Sequence, residues 1–321
     1  MKYHLLFCVS FCLLAHSICG QMMEELTPSE KKQLTVVNEP QTLFKGFVRV
    51  GVSFNTTPLD KIFDNHGNRE NFPGNIWASS GELQLGLAYG ITNRLQLSAS
   101  FPYRYINLYQ SVRQEVADIG VLGTKQWQNE ARGLADIWVA TSYQIVTQSV
   151  ARPSQTVTAY LRLPTGEKNP SSVKNEFEYK PALGTGEMSA IAEYQLRQIV
   201  YPYVYSVYLS YQYFAGGSKK LQPMDLNERP FRSGGNMSLG GYFNFHLNEW
   251  IAVRNSGQFF FSSPDTFDGT TEPDPSWTLQ YSPGLNFQIG QFRIAQGVTI
   301  PLLGKLSPAD PTYLFIVQMI L

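Results

Sequence analysis

Chemistry-bearing side chains are sparse beyond residue 20. Only two histidines remain there, His66 and His246. Neither stands in a spacing that binds zinc, such as two histidines one helical turn apart, nor beside a cysteine pair. His66 lies in a Gly/Asn-rich loop and reads as solvated. His246 falls on an inward strand face near a turn and reads as a polar lining residue. No metal or other cofactor is expected. A Ser–His–Asn hydrolase of the outer-membrane phospholipase kind would need a histidine two residues before Ser-Asn-Gly. Here His246 is followed by Leu247, Asn248 and Glu249, and the nearest approach to that triplet, Asn255-Ser256-Gly257, has no neighbouring histidine. An enzyme is therefore not expected; hydrolysis, if present, would be lost on His246→Ala.

The charges that fall on inward positions carry more promise. They are Lys45, Arg49, Glu82, Asp136, Arg162, Glu187, Glu193, Arg254 and Arg293. Inside a wet cylinder such residues select solutes and set up a transverse field. Paired across the interior they would close it instead, and in a barrel of intermediate size the sequence leaves both open. Trp127, Phe72, Phe231 and Phe267 fall in loops and could form an amphipathic mouth or fold over a rim.

What places these charges inward is period-two patterning. From Leu43 onward roughly twelve segments alternate, each near the 9–11 residues that a tilted strand needs to cross a bilayer. In 82–91, Leu83, Leu85, Leu87, Tyr89 and Ile91 face one way and Glu82, Gln84, Gly86, Ala88 and Gly90 the other. The next segment sets Leu95, Leu97, Ala99, Phe101 and Tyr103 against Gln96, Ser98 and Ser100. Tyr208 and Trp138 break the scheme by pointing inward. The expected strands are 43–55, 79–91, 94–105, 133–146, 155–164, 184–196, 200–213, 235–247, 250–262, 277–289, 291–300 and 312–321. Their connections alternate long and short, as extracellular loops and periplasmic turns do. An even count returns both ends to the turn side. The fold class is all-β, a transmembrane antiparallel up-and-down β-barrel of about twelve strands over 43–321. A soluble sandwich would have to hide these apolar faces in one core, and they are too many and too aromatic for that.

The flanks agree. Lys2, the apolar run Leu5 to Leu14 and the small exit Ala15 to Gly20 read as a signal peptide over 1–20, with a cut after Ser17 equally defensible. All three cysteines, Cys8, Cys12 and Cys19, lie within it, so the mature chain has no thiol chemistry. Residues 21–42 are polar and unlike a strand. Thr27 and Glu30 stand at capping-box spacing around Pro28, and the segment could hang in the periplasm, fold inward as a plug, or be a disordered tail. At the other end Tyr313, Phe315, Val317, Met319 and Leu321 form an apolar face that ends on the chain terminus, similar to the signal that barrel-assembly machinery reads, with Leu321 where Phe is usual.

Lys plus Arg and Asp plus Glu both number 25 in 321 residues, which removes a general electrostatic case for nucleic acid. Outer-membrane lipid, the assembly machinery during insertion and a small-molecule solute are the partners to expect, in the outer membrane of a Gram-negative envelope.

Several short pieces in order also resemble a known family: Glu39-Pro40 then Lys45-Gly46, Gly133-Leu134-Ala135-Asp136-Ile137, Leu163-Pro164-Thr165-Gly166, Leu183-Gly184-Thr185-Gly186 and Ser282-Pro283-Gly284-Leu285. Together they resemble the outer-membrane family associated with meta-pathway phenol degradation; Ala135 and Leu321 depart from its commoner pattern. The resemblance implies a barrel that passes small, aromatic or hydrophobic compounds and supplies no catalytic residues. Three functions follow as expectations: a passive channel, a closed barrel whose loops bind a ligand or partner, and, last, a lipid hydrolase.

Overall fold

The computed structural model describes residues 42–72, 76–115, 122–149, 152–173, 178–220, 222–272 and 274–321. The expected signal peptide and the segment up to residue 41 lie outside them.

Twelve antiparallel strands form a closed barrel. They are β1 (Val48–Leu59), β2 (Ile76–Thr92), β3 (Leu95–Glu115), β4 in two pieces (Leu122–Leu134 and Ile137–Val146), β5 (Ser154–Leu163), β6 (Glu187–Val200), β7 (Tyr203–Lys219), β8 (Asn236–His246), β9 (Ile251–Ser262), β10 (Ser276–Ile289), β11 (Phe292–Lys305) and β12 (Thr312–Ile320). Each pairs with the next in sequence. The ring closes between β1 and β12, in register from Arg49 opposite Ile320 to Thr56 opposite Tyr313. The amide and carbonyl of Val48 and Leu321 extend that seam with bonds of 3.0 and 2.7 Å. Closure leaves no unpaired edge, the condition a sheet must meet to sit in hydrocarbon.

Burial is the reverse of a soluble protein's. Leu83, Leu85, Leu87, Leu97, Leu209 and Leu239 are each 40 to 49 % exposed, while Thr156, Thr158, Ser206, Asn244 and Asn286 are buried. The apolar stripes encircle the outside and the polar faces turn in, which excludes the soluble sandwich. On β7 the outward residues run Tyr203, Tyr205, Val207, Leu209, Tyr211 and Tyr213. Tyrosines at both ends of an aliphatic centre match two polar interfaces around a hydrocarbon slab.

Side chains shape the short turns. Thr92 Oγ1 accepts the amides of Arg94 (3.1 Å) and Leu95 (3.0 Å) between β2 and β3. Asn248 Oδ1 accepts those of Trp250 and Ile251, both at 2.8 Å, between β8 and β9. Gly290, at φ +59°, turns β10 into β11. Local acceptors of this kind replace the ladder where it stops.

Two expectations need correction. β1 begins at Val48 rather than residue 43, because Thr42 to Phe44 leave the wall and lie against its inner face. Trp127 belongs to a strand rather than a loop: Leu122–Leu134 pairs with the upper part of β3 from Tyr103 opposite Leu134 to Glu115 opposite Leu122. This hairpin stands above the rim, where β5, ending at Leu163, no longer accompanies it.

Candidate functional site

The lumen is the candidate site, and three levels of it can be distinguished. At the outer mouth the loop joining β5 to β6 leans onto the tall hairpin's inward face. Trp127, Asn129 and Ala131 on that face are buried, and Asn129 Oδ1 accepts the amide of Tyr179 at 3.0 Å. Beneath the loop, Asp136 accepts the amides of Gly166 (3.1 Å) and Thr185 (2.9 Å) and the hydroxyl of Thr185 (2.7 Å). A Cβ on Gly184 would stand 2.7 Å from Asp136 Oδ1 and from the Gly166 backbone, so only glycine lets these two loop segments meet there.

Arg162 lies 3.9 Å from Asp136, its guanidinium 5.2 Å from the Phe214 ring centre and 5.5 Å from that of Trp138. Arg104 donates to Glu82 at 2.8 and 3.1 Å and to the Leu183 carbonyl at 3.0 Å. Glu187, 1 % exposed, accepts the amide of Ser233 at 3.1 Å and its hydroxyl. Four of the charges singled out from sequence, Glu82, Asp136, Arg162 and Glu187, therefore meet at this level as partners of loops and of each other.

Two further contacts secure the mouth. Glu228 accepts from Lys168 (2.7 Å), Asn169 (2.7 Å) and Ser218 (2.6 Å), clasping the β5–β6 loop to the β7–β8 loop. These donors pull the Glu228 carboxyl down to about 2. Asp310 accepts the amides of Asp60 (2.8 Å) and Lys61 (2.7 Å). Its carboxylate also raises the Asp60 carboxyl above the usual range by hydrogen-bonding its protonated form. The Phe231 and Phe267 rings meet tilted, their centres 4.6 Å apart, with Lys219 Nζ 3.5 Å from the Phe231 ring centre, whereas Phe72 stays exposed.

Below the loops no described residue fills the interior. A cavity of about 530 Å³ is bounded by Trp138, Tyr160, Ile191 and Ile316 together with Arg49, Gln84 and Gln318. Glu193 projects from β6 at mid-height, and Arg254, on the inward face of β9 three strands on, sits over the Tyr242 ring at 4.5 Å. Toward the turn side are Arg49, Arg197 and Arg293, all on inward positions.

At the floor, Leu43 is fully buried and its amide donates to Gln96 Oε1 at 3.0 Å. Thr42 Oγ1 reaches Gln144 Oε1 at 3.3 Å. Both glutamines are inward residues, so the chain enters β1 from inside the cylinder. Gly90 makes this approach possible, since a Cβ there would stand 1.9 Å from the Phe44 carbonyl oxygen. Lys45 consequently sits in an exposed turn ahead of β1 and not on a wall strand. Arg104 and Arg197 are the inward charges missing from the sequence-derived set; alternation continued past 100 on β3 and past 196 on β6 reaches both. His246 is inward and 2 % exposed, away from the lipid face where a phospholipase site would lie.

No family model matches the chain, and no curated protein matches it in sequence. Solved structures do resemble it. The COG4313 outer membrane channel from Pseudomonas putida F1 superposes with a TM-score of 0.66 at 13 % identity, over 88 % of this chain and 98 % of that one. The CymD monoaromatic hydrocarbon channel follows with a TM-score of 0.51 at 6 % identity, over 87 % and 88 %. At such identities the likeness is one of fold: this chain has the twelve-stranded barrel architecture seen in outer-membrane channels.

Proposed function

We propose that this protein is an outer-membrane channel that lets small, apolar or aromatic solutes cross passively. The observation carrying the proposal is the lumen below the mouth, left unfilled by the described residues, whose wall alternates rings and aliphatic side chains with amides and one guanidinium. Its volume is in the range of sites that enclose small organic molecules, and its mixed lining suits a solute with an aromatic body. The kinship of fold with a monoaromatic hydrocarbon channel and the ordered motifs resembling the phenol-degradation family support the same solute class. The apolar outer belt supports residence in the outer membrane, with lipid as its surroundings and insertion by the barrel-assembly machinery.

A second reading has its own observation. The clasp around Glu228 and the loop seated on Asp136 narrow the mouth, as a closed barrel that binds ligands with its loops would require. Single-channel recording in planar bilayers and uptake of radiolabelled toluene or phenol into proteoliposomes separate the two. Saturable uptake above that of empty liposomes is expected. No conductance together with no uptake would refute the channel and leave the ligand-binding barrel.

A further inference from the structure

Most charged side chains of the interior are engaged, and Glu193 differs. Among the described residues it makes no hydrogen bond and no ion pair. It stands on the inward face of β6, opposite Thr158 of β5 and Ser210 of β7. The same row continues to Ser142 and Ser238, so the carboxylate is centred in a band of hydroxyls. Two tyrosines stand on its diagonals, Tyr160 opposite Ile191 and Tyr208 opposite Gln195, each one inward position from Glu193 along the strand.

The carboxylate is thus left with its acceptor directions unclaimed by the wall, beside two aromatic rings. Arg197 on the same strand face is four residues away, about 13 Å along a strand, a separation at which salt removes most of the interaction. The complement of such a site is a primary ammonium: three donors for the carboxylate and neighbouring hydroxyls, and a positive charge attracted to ring faces.

We propose that Glu193, with Tyr160 and Tyr208, forms a mid-lumen station for the ammonium group of an amine with an aromatic or alkyl body. This deepens the proposed function and rests on the barrel being a solute pathway, since the amine must reach mid-height. Arg254, on the inward face of β9 and over the Tyr242 ring, bounds the station on that side and disfavours a second positive charge there.

The test is equilibrium binding by calorimetry to the full-length barrel in a non-ionic detergent, where both mouths are open to solution and binding does not require flux. Benzylammonium is titrated at about pH 8, where amine and carboxylate are both charged, with benzyl alcohol as the neutral probe. Glu193→Gln, similar in shape, is expected to weaken benzylammonium about tenfold or more, the share of a charge-assisted contact, and to leave benzyl alcohol unchanged. Tyr208→Phe keeps the ring and is expected to bind as the parent does; Tyr208→Leu is expected to weaken the amine several-fold. Heat-modifiable gel mobility verifies that each variant is folded. No benzylammonium binding by the parent, or equal binding by Glu193→Gln, overturns the station. Absence of both conductance and uptake refutes the channel reading and leaves this binding result standing by itself.

Discussion

Asp136→Ala should be the most damaging single change at the outer mouth. The carboxylate is 5 % exposed and accepts from two backbone amides and one hydroxyl, with Arg162 at 3.9 Å. Hydrogen bonds to a charged acceptor are worth about 1.5–3 kcal/mol each. Three of them cannot simply be added, because the donors share one group and water can enter once it is gone. The relevant comparison is removal of one partner from a buried ionic cluster, which costs about 3–5 kcal/mol. Asp136→Asn keeps one acceptor oxygen but turns an NH2 toward donors, and about 2–3 kcal/mol is expected. The assay is the denaturant midpoint of barrel refolded in liposomes, paired with trypsin cleavage after Lys168 in the β5–β6 loop. Faster cleavage should accompany the lower midpoint. A loss under about 1 kcal/mol with unchanged cleavage would refute the idea that Asp136 seats the loop.

Gly90→Ala should push Thr42 to Phe44 off the inner wall, and a cysteine in place of Leu43 should then react faster with a water-soluble thiol reagent than it does with Gly90 intact. Leu209, outward and 49 % exposed, should cost about 2–4 kcal/mol as arginine near mid-membrane. Ser210→Arg, one residue on and facing the lumen, should cost far less in the same denaturant titration and change ion selectivity instead. The Glu228 carboxyl is depressed from 4.5 to about 2, so the clasp contributes above the ordinary value and is lost as pH falls through that interval. Lys168→Ala should move the loss to higher pH, read by hydrogen exchange in the two loops.

The wall was legible in the sequence because a membrane barrel imposes one rule on every residue between the interfaces: even and odd positions face different solvents. Where that rule stops, reading stopped too. Residues 122–134 pair as regularly as any wall strand, yet they stand above the bilayer, where neither face needs to be apolar, and no alternation marks them. Leu43 continues the β1 pattern by residue type but answers to a different contact, the buried amide of Gln96, which only the fold brings near. Asp136, Glu82 and Glu187 were identifiable as inward charges from parity alone. Their partners were not, because Thr185, Arg104 and Ser233 approach them across loops or neighbouring strands. Glu193 looked like the other inward carboxylates; what sets it apart is that no described side chain bonds it, which no one-dimensional pattern carries.

The seam between β1 and β12 joins the two extremes of the wall, and this fixes the order in which the molecule can become insoluble or safe. Until Arg49 faces Ile320, the chain is an eleven-hairpin ribbon at most, with two raw edges as long as a bilayer is thick. Either edge can accept a strand from a second copy as readily as from its own far end. Concentration during assembly, rather than the stability of the finished cylinder, then decides between a closed monomer and a run of ribbons joined edge to edge.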